Sequence, residues 1–195
     1  MDHTATRTTL TSLPNVLTYL RIAAVPLMAA CFVLIDGDVG RWSALFVFVF
    51  ASVTDWLDGY LARALAQQST LGRMLDPIAD KLLVGTALLV LVNDATIDYI
   101  TIWAAIIILC REILVSGLRE FLAELRVKVH VTRLAKWKTA LQMLAIGVLL
   151  AGPAGEKYVP GVILTGTMLL WVAALLTLWT GYDYLKAAVR HAMDN

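Results

Sequence analysis

The chain has 195 residues, of which 59% are hydrophobic and 16% are charged, and its mean hydropathy is +0.75. This composition is too apolar for a soluble domain and indicates a membrane protein that crosses the bilayer several times. The formal net charge of +1 points to no partner by itself, and we expect no nucleic-acid ligand.

Six apolar runs are long enough to cross about 30 Å of hydrocarbon. We predict membrane-spanning helices at residues 14–35, 42–66, 75–93, 98–122, 133–152 and 159–187. Residues 1–195 are therefore expected to form one all-α, polytopic domain with six transmembrane helices. Residues 1–12 are polar and lack the cleavage pattern of a signal peptide, so we expect them to stay as a cytoplasmic N-terminus.

The positions of lysine and arginine predict the orientation of these helices. With the N-terminus in the cytoplasm, the outer loops contain only Arg41 and Lys157, and the other fourteen of the sixteen basic residues lie at or near the inner side. This distribution satisfies the positive-inside rule. Any polar cavity formed by the inner ends of the helices would then face the cytoplasm.

The first predicted span carries Asn15, Thr18 and Arg21 at a spacing of three residues, which places them near one another on a helix. One interpretation is a capping residue followed by an arginine that extends to the membrane surface. The other is a polar face that contributes to a binding site, with Asn15 as its candidate ligand-binding residue.

The second and third spans contain four aspartates, which are costly inside a membrane and usually functional there. Asp55 and Asp58 are three residues apart, and Asp76 and Asp80 are four apart, so each pair shares one helix face. Two such pairs facing a common cleft would repel each other unless cations lay between them. Carboxylate oxygens without histidine or cysteine suit Mg²⁺ or Mn²⁺, and a pair of ions would suit displacement at a phosphate.

Pro77 follows Asp76 directly, and a proline is best tolerated in the first turn of a helix. We therefore predict that the third helix begins near residue 75, which would place Asp76 at a helix N-terminus that favours a nearby phosphate. Lys81 is interpreted as a structural residue that pairs with Asp80 or extends to the membrane surface.

The fourth span carries Arg111 and Glu112 within an apolar run, and Arg119 lies eight residues further along the helix. Lys136 and Lys138 follow in a basic connector. Buried arginines here could form ion pairs with Glu112 and the aspartates. They could also bind an anionic substrate, because the guanidinium fork matches phosphate.

The acids belong to a longer pattern, D-x2-D-G-x2-A-R-x8-G-x3-D-x3-D, which runs from Asp55 to Asp80 and resembles the signature of the CDP-alcohol phosphotransferase family. The segments REILVSGLREFLAEL and KWKTALQM are similar to those of bacterial family members that use glycerol 3-phosphate as acceptor. The opening segment LPNVLTYLRIAAVPL shows the same similarity.

This resemblance implies that the chain transfers the phosphatidyl group of CDP-diacylglycerol to sn-glycerol 3-phosphate, giving phosphatidylglycerol phosphate and CMP. It also implies two Mg²⁺ or Mn²⁺ ions, a location in the bacterial inner membrane and a homodimer. The residues that match the family's metal ligands are Asp55, Asp58, Asp76 and Asp80, of which Asp80 is also the expected base. Those expected to bind the CDP group are Asn15, Asp58, Gly59, Ala62, Arg63 and Gly72, and those expected to bind the acceptor phosphate are Arg111, Arg119, Lys136 and Lys138.

Two alternatives remain open on the sequence. A sister transferase would use the same metal site with another acceptor, making cardiolipin or phosphatidylinositol phosphate. A transporter would also carry acids and arginines inside the membrane. The transporter is disfavoured because the acids cluster at one membrane face and no inverted repeat is visible.

Overall fold

The computed structural model describes residues 13–64, 70–124 and 133–193. Within these ranges, nothing is described for the side chains of residues 13–14, 56–64, 70–71, 73, 123–124, 133–136, 183–184 and 187–193. Regular structure in the described ranges is α-helical, as predicted. The helices are α1 Leu13–Leu34, α2 Gly37–Ala64, α3 Thr70–Asn93, α4 Ile102–Glu124, α5 Arg133–Glu156 and α6 Val162–Met193.

The chain divides into two compact units, Met1–Val90 and Leu91–Asn195. In the first unit, α1 packs along α2, and the fully buried side chains include Met28, Ala44 and Phe48. In the second unit, α6 packs along both α4 and α5 around Ile108 and Leu149. Both cores are built from apolar side chains at helical spacing, which is how amphipathic and membrane helices bury one face.

Three described helices are long and apolar enough to cross a membrane: Asn15–Leu34 within α1, Trp137–Glu156 within α5, and Val162–Tyr182 within α6. Helices α2, α3 and α4 coincide with the other three predicted spans, but they carry the acidic and basic residues singled out in the sequence. The predicted metal ligands therefore lie outside α1, α5 and α6, whereas the predicted binding residues Asn15 and Lys138 lie on α1 and α5.

The predicted start of the third helix is wrong. Helix α3 begins at Thr70, so Pro77 is its eighth residue and Asp76 does not lie in its first turn. Proline inside a helix removes one backbone hydrogen bond, and helices in membranes tolerate this loss when other groups compensate. The carbonyl of Pro77 accepts a hydrogen bond from Lys81 Nζ over 2.8 Å, so the contact shown for Lys81 is with its own helix, a partner that was not predicted from the sequence.

Helix α5 is interrupted where the sequence predicts its end. Gly152 has φ 41° and ψ −127°, which only glycine adopts at little cost, and Pro153 follows it. A further helical turn then continues to Glu156, whose carboxylate accepts hydrogen bonds from the backbone N–H groups of Gly161 (2.6 Å) and Ile163 (3.0 Å). Glu156 thereby caps the start of α6, where backbone donors have no partner within the helix.

Candidate active site

One face of α1 is polar and buried. Asn15, Thr18 and Arg21 are each only 1% exposed, although most of this helix is apolar. Polar side chains in a membrane helix face protein because lipid offers them no hydrogen-bond partners. The interpretation of Arg21 as a residue that extends to the membrane surface is therefore wrong, since its side chain lies inside the first unit.

This polar face contacts both helices that carry the aspartates. The guanidinium group of Arg21 forms an ion pair with the carboxylate of Asp55 on α2. The hydroxyl group of Thr18 donates a hydrogen bond to Oδ1 of Asp76 on α3 over 2.7 Å. Helix α1 thus brings together two acids that are 21 positions apart in the sequence.

The carboxylates of the first unit keep access to a ligand. The side chain of Asp55 is 49% exposed despite its ion pair, and Asp76 and Asp80 are each partly exposed. Asp55 and Asp76 both contact the same polar face of α1, and the cleft shared by all four acids stays a prediction. The side chain of Asp58 lies outside the described residues.

These residues fit a divalent cation by the chemistry of their donor atoms. Asp55 and Asp76 offer carboxylate oxygens on neighbouring helices, and hard oxygen donors are what Mg²⁺ and Mn²⁺ prefer. Among the side chains that the structure describes, no group of three or more such ligands is found. The predicted set includes Asp58, so the full set of four acids stays a prediction.

The residues predicted to bind the CDP group lie on α1, α2 and α3 of the same unit. Asn15 is buried on α1, and Gly72 is buried in the first turn of α3. The other predicted residues follow Asp55 on α2 by one or two helical turns, but their side chains lie outside the described residues: Gly59, Ala62 and Arg63.

The second unit contains a buried polar cluster around Arg111 of α4. The Arg111 Nε atom donates to the carbonyl oxygen of Thr177 over 3.1 Å, and its Nη2 atom donates to Thr180 Oγ1 over 3.0 Å. Both partners lie on α6. Gly181 makes room for this arginine, because a Cβ atom there would lie 3.1 Å from Arg111 Cγ.

Glu112 connects this arginine to α5. Its carboxylate oxygen Oε1 accepts a hydrogen bond from Lys138 and lies 3.5 Å from Arg111 Nη1. The interpretation of Arg111 as an ion-pair partner of Glu112 is therefore confirmed. Two cations share one carboxylate, so the cluster of Arg111, Glu112 and Lys138 keeps one formal positive charge in a buried setting that favours an anionic ligand.

The other two predicted phosphate ligands, Arg119 and Lys136, differ from Arg111 and Lys138. Arg119 has an exposed side chain, so the expectation of two buried arginines on α4 is wrong. Eight residues along a helix correspond to an offset of about 80°, which is enough to move Arg119 away from the buried face. The side chain of Lys136 lies outside the described residues.

Several polar residues at these sites were missed or misinterpreted in the sequence. The hydroxyls and carbonyls of α6 that hold Arg111 come from a span to which no chemistry was assigned. Gln142 was also missed, although it lies one helical turn after Lys138 on α5 and is 2% exposed. Its amide oxygen has no hydrogen-bond partner among the described residues. The signal that could have found these residues is the presence of isolated polar side chains in apolar helices.

The chain is similar to known proteins over most of its length. The family model for CDP-alcohol phosphatidyltransferase matches residues 11–179. The CDP-diacylglycerol–glycerol-3-phosphate 3-phosphatidyltransferase of Rickettsia bellii is 46% identical over 180 residues, which cover 92% of this chain and 97% of the relative. Proteins of the same name are 40% identical in Haemophilus influenzae and 37% identical in Cereibacter sphaeroides, covering 94% of this chain and 97% and 98% of the relatives.

Proposed function

The chain belongs to the CDP-alcohol phosphatidyltransferase family, and from this premise we propose that it transfers the phosphatidyl group of CDP-diacylglycerol to sn-glycerol 3-phosphate. The products are phosphatidylglycerol phosphate, a precursor of phosphatidylglycerol and cardiolipin, and CMP. The observation that carries this proposal is the identity of 37–46% to relatives named for this reaction, over more than nine tenths of the chain. The family resemblance inferred from the acid pattern is thereby confirmed.

The reaction is a displacement at phosphorus. A hydroxyl oxygen of glycerol 3-phosphate attacks the phosphorus that bears the diacylglycerol group, and the bond from that phosphorus to the oxygen of CMP breaks. The attacking hydroxyl loses its proton, and Asp80 is the proposed acceptor of that proton. Asp80 is partly exposed on α3, one helical turn beyond Asp76, so it can meet a substrate from the same face.

The proposed metal ligands are Asp55, Asp58, Asp76 and Asp80. Bound Mg²⁺ or Mn²⁺, in a site of two ions, would supply neutralising charge to the diphosphate and to the departing CMP. The protein's own part is to present the carboxylates in a fixed arrangement. The support for this part is the half-exposed carboxylate of Asp55 and the contacts from α1 that hold Asp55 and Asp76.

The CDP group is proposed to bind beside these acids. Small residues admit the nucleotide, and Arg63 pairs with phosphate through its guanidinium fork. The full proposed set is Asn15, Asp58, Gly59, Ala62, Arg63 and Gly72.

The acceptor phosphate is proposed to bind the basic residues of α4 and α5. Arg111 and Lys138 are the best supported, because both are buried and share the single carboxylate of Glu112. The oxygens of a phosphate accept charge-assisted hydrogen bonds from both a guanidinium and an ammonium group, so a phosphate can compete with Glu112 for these two cations. Arg119 and Lys136 complete the proposed set.

We further propose six membrane crossings with the N-terminus and the active site on the cytoplasmic side of the bacterial inner membrane. The distribution of lysine and arginine supports this orientation. A diacyl substrate fits such an enzyme, because its acyl chains stay in the lipid while its headgroup enters a polar cavity. The family resemblance adds the expectation of a homodimer.

The test is an acceptor panel with the purified full-length protein in detergent micelles. CMP release from CDP-diacylglycerol is followed with Mg²⁺ or Mn²⁺ and, in separate reactions, glycerol 3-phosphate, inositol phosphate, inositol, serine and phosphatidylglycerol. We expect release with glycerol 3-phosphate alone. Release with a different acceptor would identify a sister transferase, and a folded protein that releases no CMP with any acceptor would support a transporter instead.

A further inference from the structure

The hydroxyl of Thr18 contacts Asp76, one of the proposed metal ligands. It donates to Asp76 Oδ1 over 2.7 Å, and the threonine is 1% exposed. The two residues are 58 positions apart, so this bond is a tertiary contact between α1 and α3. A hydroxyl carries a single proton, so this bond engages one oxygen of Asp76 and restricts the rotation of its carboxylate, while the second oxygen has the capacity to bind another ligand.

The surroundings of Thr18 hold this hydroxyl in place. Threonine is branched at Cβ, which restricts its side-chain rotation, and burial restricts it further. Arg21 lies three residues later on the same buried face of α1 and forms an ion pair with Asp55. This pair, together with the packing of α1 along α2, holds in place the helix that carries the Thr18 hydroxyl.

We propose, on the basis of the function proposed above, that Thr18 is a positioning residue that orients Asp76 as a ligand of the divalent cation. Residues that hydrogen-bond to metal ligands set the orientation of those ligands, and replacing them typically weakens metal affinity or activity by about 10- to 100-fold. A purely structural threonine would contribute to the folding of α1 against α3 and would leave metal affinity unchanged. The two roles are therefore separable by measurement.

The experiment compares three variants of the full-length protein. Thr18→Val keeps the branched shape and removes the proton donor, whereas Thr18→Ser keeps the donor. Thr54→Val is the matched control, because Thr54 is a 6% exposed threonine on α2 whose hydroxyl donates to the carbonyl oxygen of Ala51 in its own helix, over 2.8 Å. Mn²⁺ binding to each purified protein is measured by the loss of the free-ion signal in electron paramagnetic resonance, without substrate, alongside thermal unfolding.

We expect the Kd for Mn²⁺ to rise by about 10-fold or more in Thr18→Val, with Thr18→Ser and Thr54→Val close to the wild type. The concentration of Mn²⁺ needed for half-maximal CMP release should rise in parallel, while the KM for glycerol 3-phosphate stays unchanged. An unchanged Mn²⁺ affinity in folded Thr18→Val would overturn the positioning role and leave the proposed function intact. A wild-type protein that releases CMP without binding or needing any divalent cation would overturn both the metal site and this role.

Discussion

Replacing Lys138 by methionine removes a cation from the proposed acceptor site while nearly preserving the volume of the side chain. The side chain of Lys138 is 3% exposed and its ammonium group pairs with Glu112, so little water is available to substitute for the lost cation. A hydrogen bond to a charged group contributes about 1.5–3 kcal/mol. At 1.36 kcal/mol per factor of ten, the loss corresponds to a rise of about 10- to 150-fold in the KM for glycerol 3-phosphate. The KM for CDP-diacylglycerol should not change.

The same substitution also breaks an ion pair, and its structural effect must be separated from the loss of binding. Removing one partner of a fully buried pair costs about 3–5 kcal/mol of folding free energy. We expect a smaller cost here, because Glu112 is 20% exposed and lies 3.5 Å from Arg111. The double variant Glu112→Gln with Lys138→Met removes both charges, so it should recover thermal stability while the KM for the acceptor stays high.

The assay measures initial rates of CMP release at varied glycerol 3-phosphate, together with thermal unfolding of each variant in the same detergent. Lys157→Met serves as a control, because Lys157 is an exposed lysine between α5 and α6. A folded Lys138→Met variant with the wild-type KM for glycerol 3-phosphate would refute the proposal, and Lys138 would then be only an ion-pair partner of Glu112.

Three further outcomes are expected. Asp80→Asn should lower turnover by at least about 10²- to 10⁴-fold without unfolding the protein, and wild-type turnover would exclude Asp80 as the base. Gln142→Leu should raise the free energy of unfolding by about 1–2 kcal/mol, because the buried amide oxygen of Gln142 has no hydrogen-bond donor among the described residues. A variant that is less stable than the wild type in thermal unfolding would show that this oxygen has a donor. Hydrogen bonds from the hydroxyl and backbone N–H of Thr101 hold the pKa of Asp98 below its usual range. Asp98→Ala should therefore lower the melting temperature at neutral pH, and this difference should vanish as the pH falls through that lowered pKa. A difference that persists in acid would show that these hydrogen bonds to the ionised carboxylate are not its cause.

The positions of the helices could be predicted from apolar runs because a membrane imposes a minimum length on each span. The helix ends were less predictable. The start of α3 was placed five residues too late, because Pro77 was assigned to a first turn that its local preference favours. The actual helix accepts Pro77 in its interior, which shows that packing of α3 outweighs the local cost of one missing backbone hydrogen bond.

The acids could be predicted as functional residues because a charged side chain inside a membrane has a high free-energy cost. The residues that contact these acids could not be predicted. The spacing of Thr18 and Arg21 shows that they share a face of α1, but it does not say which residues that face meets. Their partners Asp76 and Asp55 lie on other helices, at distances along the chain that no local pattern encodes. Arg111 is a similar case, because its partners Thr177 and Thr180 are more than sixty positions away.

The polar residues of α1 show how some of these tertiary contacts could be predicted from the sequence. Helix α1 meets the criteria for a simple membrane anchor by length and hydropathy, yet the structure buries its three interior polar residues, Asn15, Thr18 and Arg21, on one side. In lipid a polar side chain must face protein, so even two or three polar residues at helical spacing define the protein-facing side of an apolar helix. An apolar helix with such a face is expected to contact polar side chains on other helices of the same chain, which here are Asp55 on α2 and Asp76 on α3. The same reasoning applies to α6, where Thr177 and Thr180 mark the side that receives Arg111.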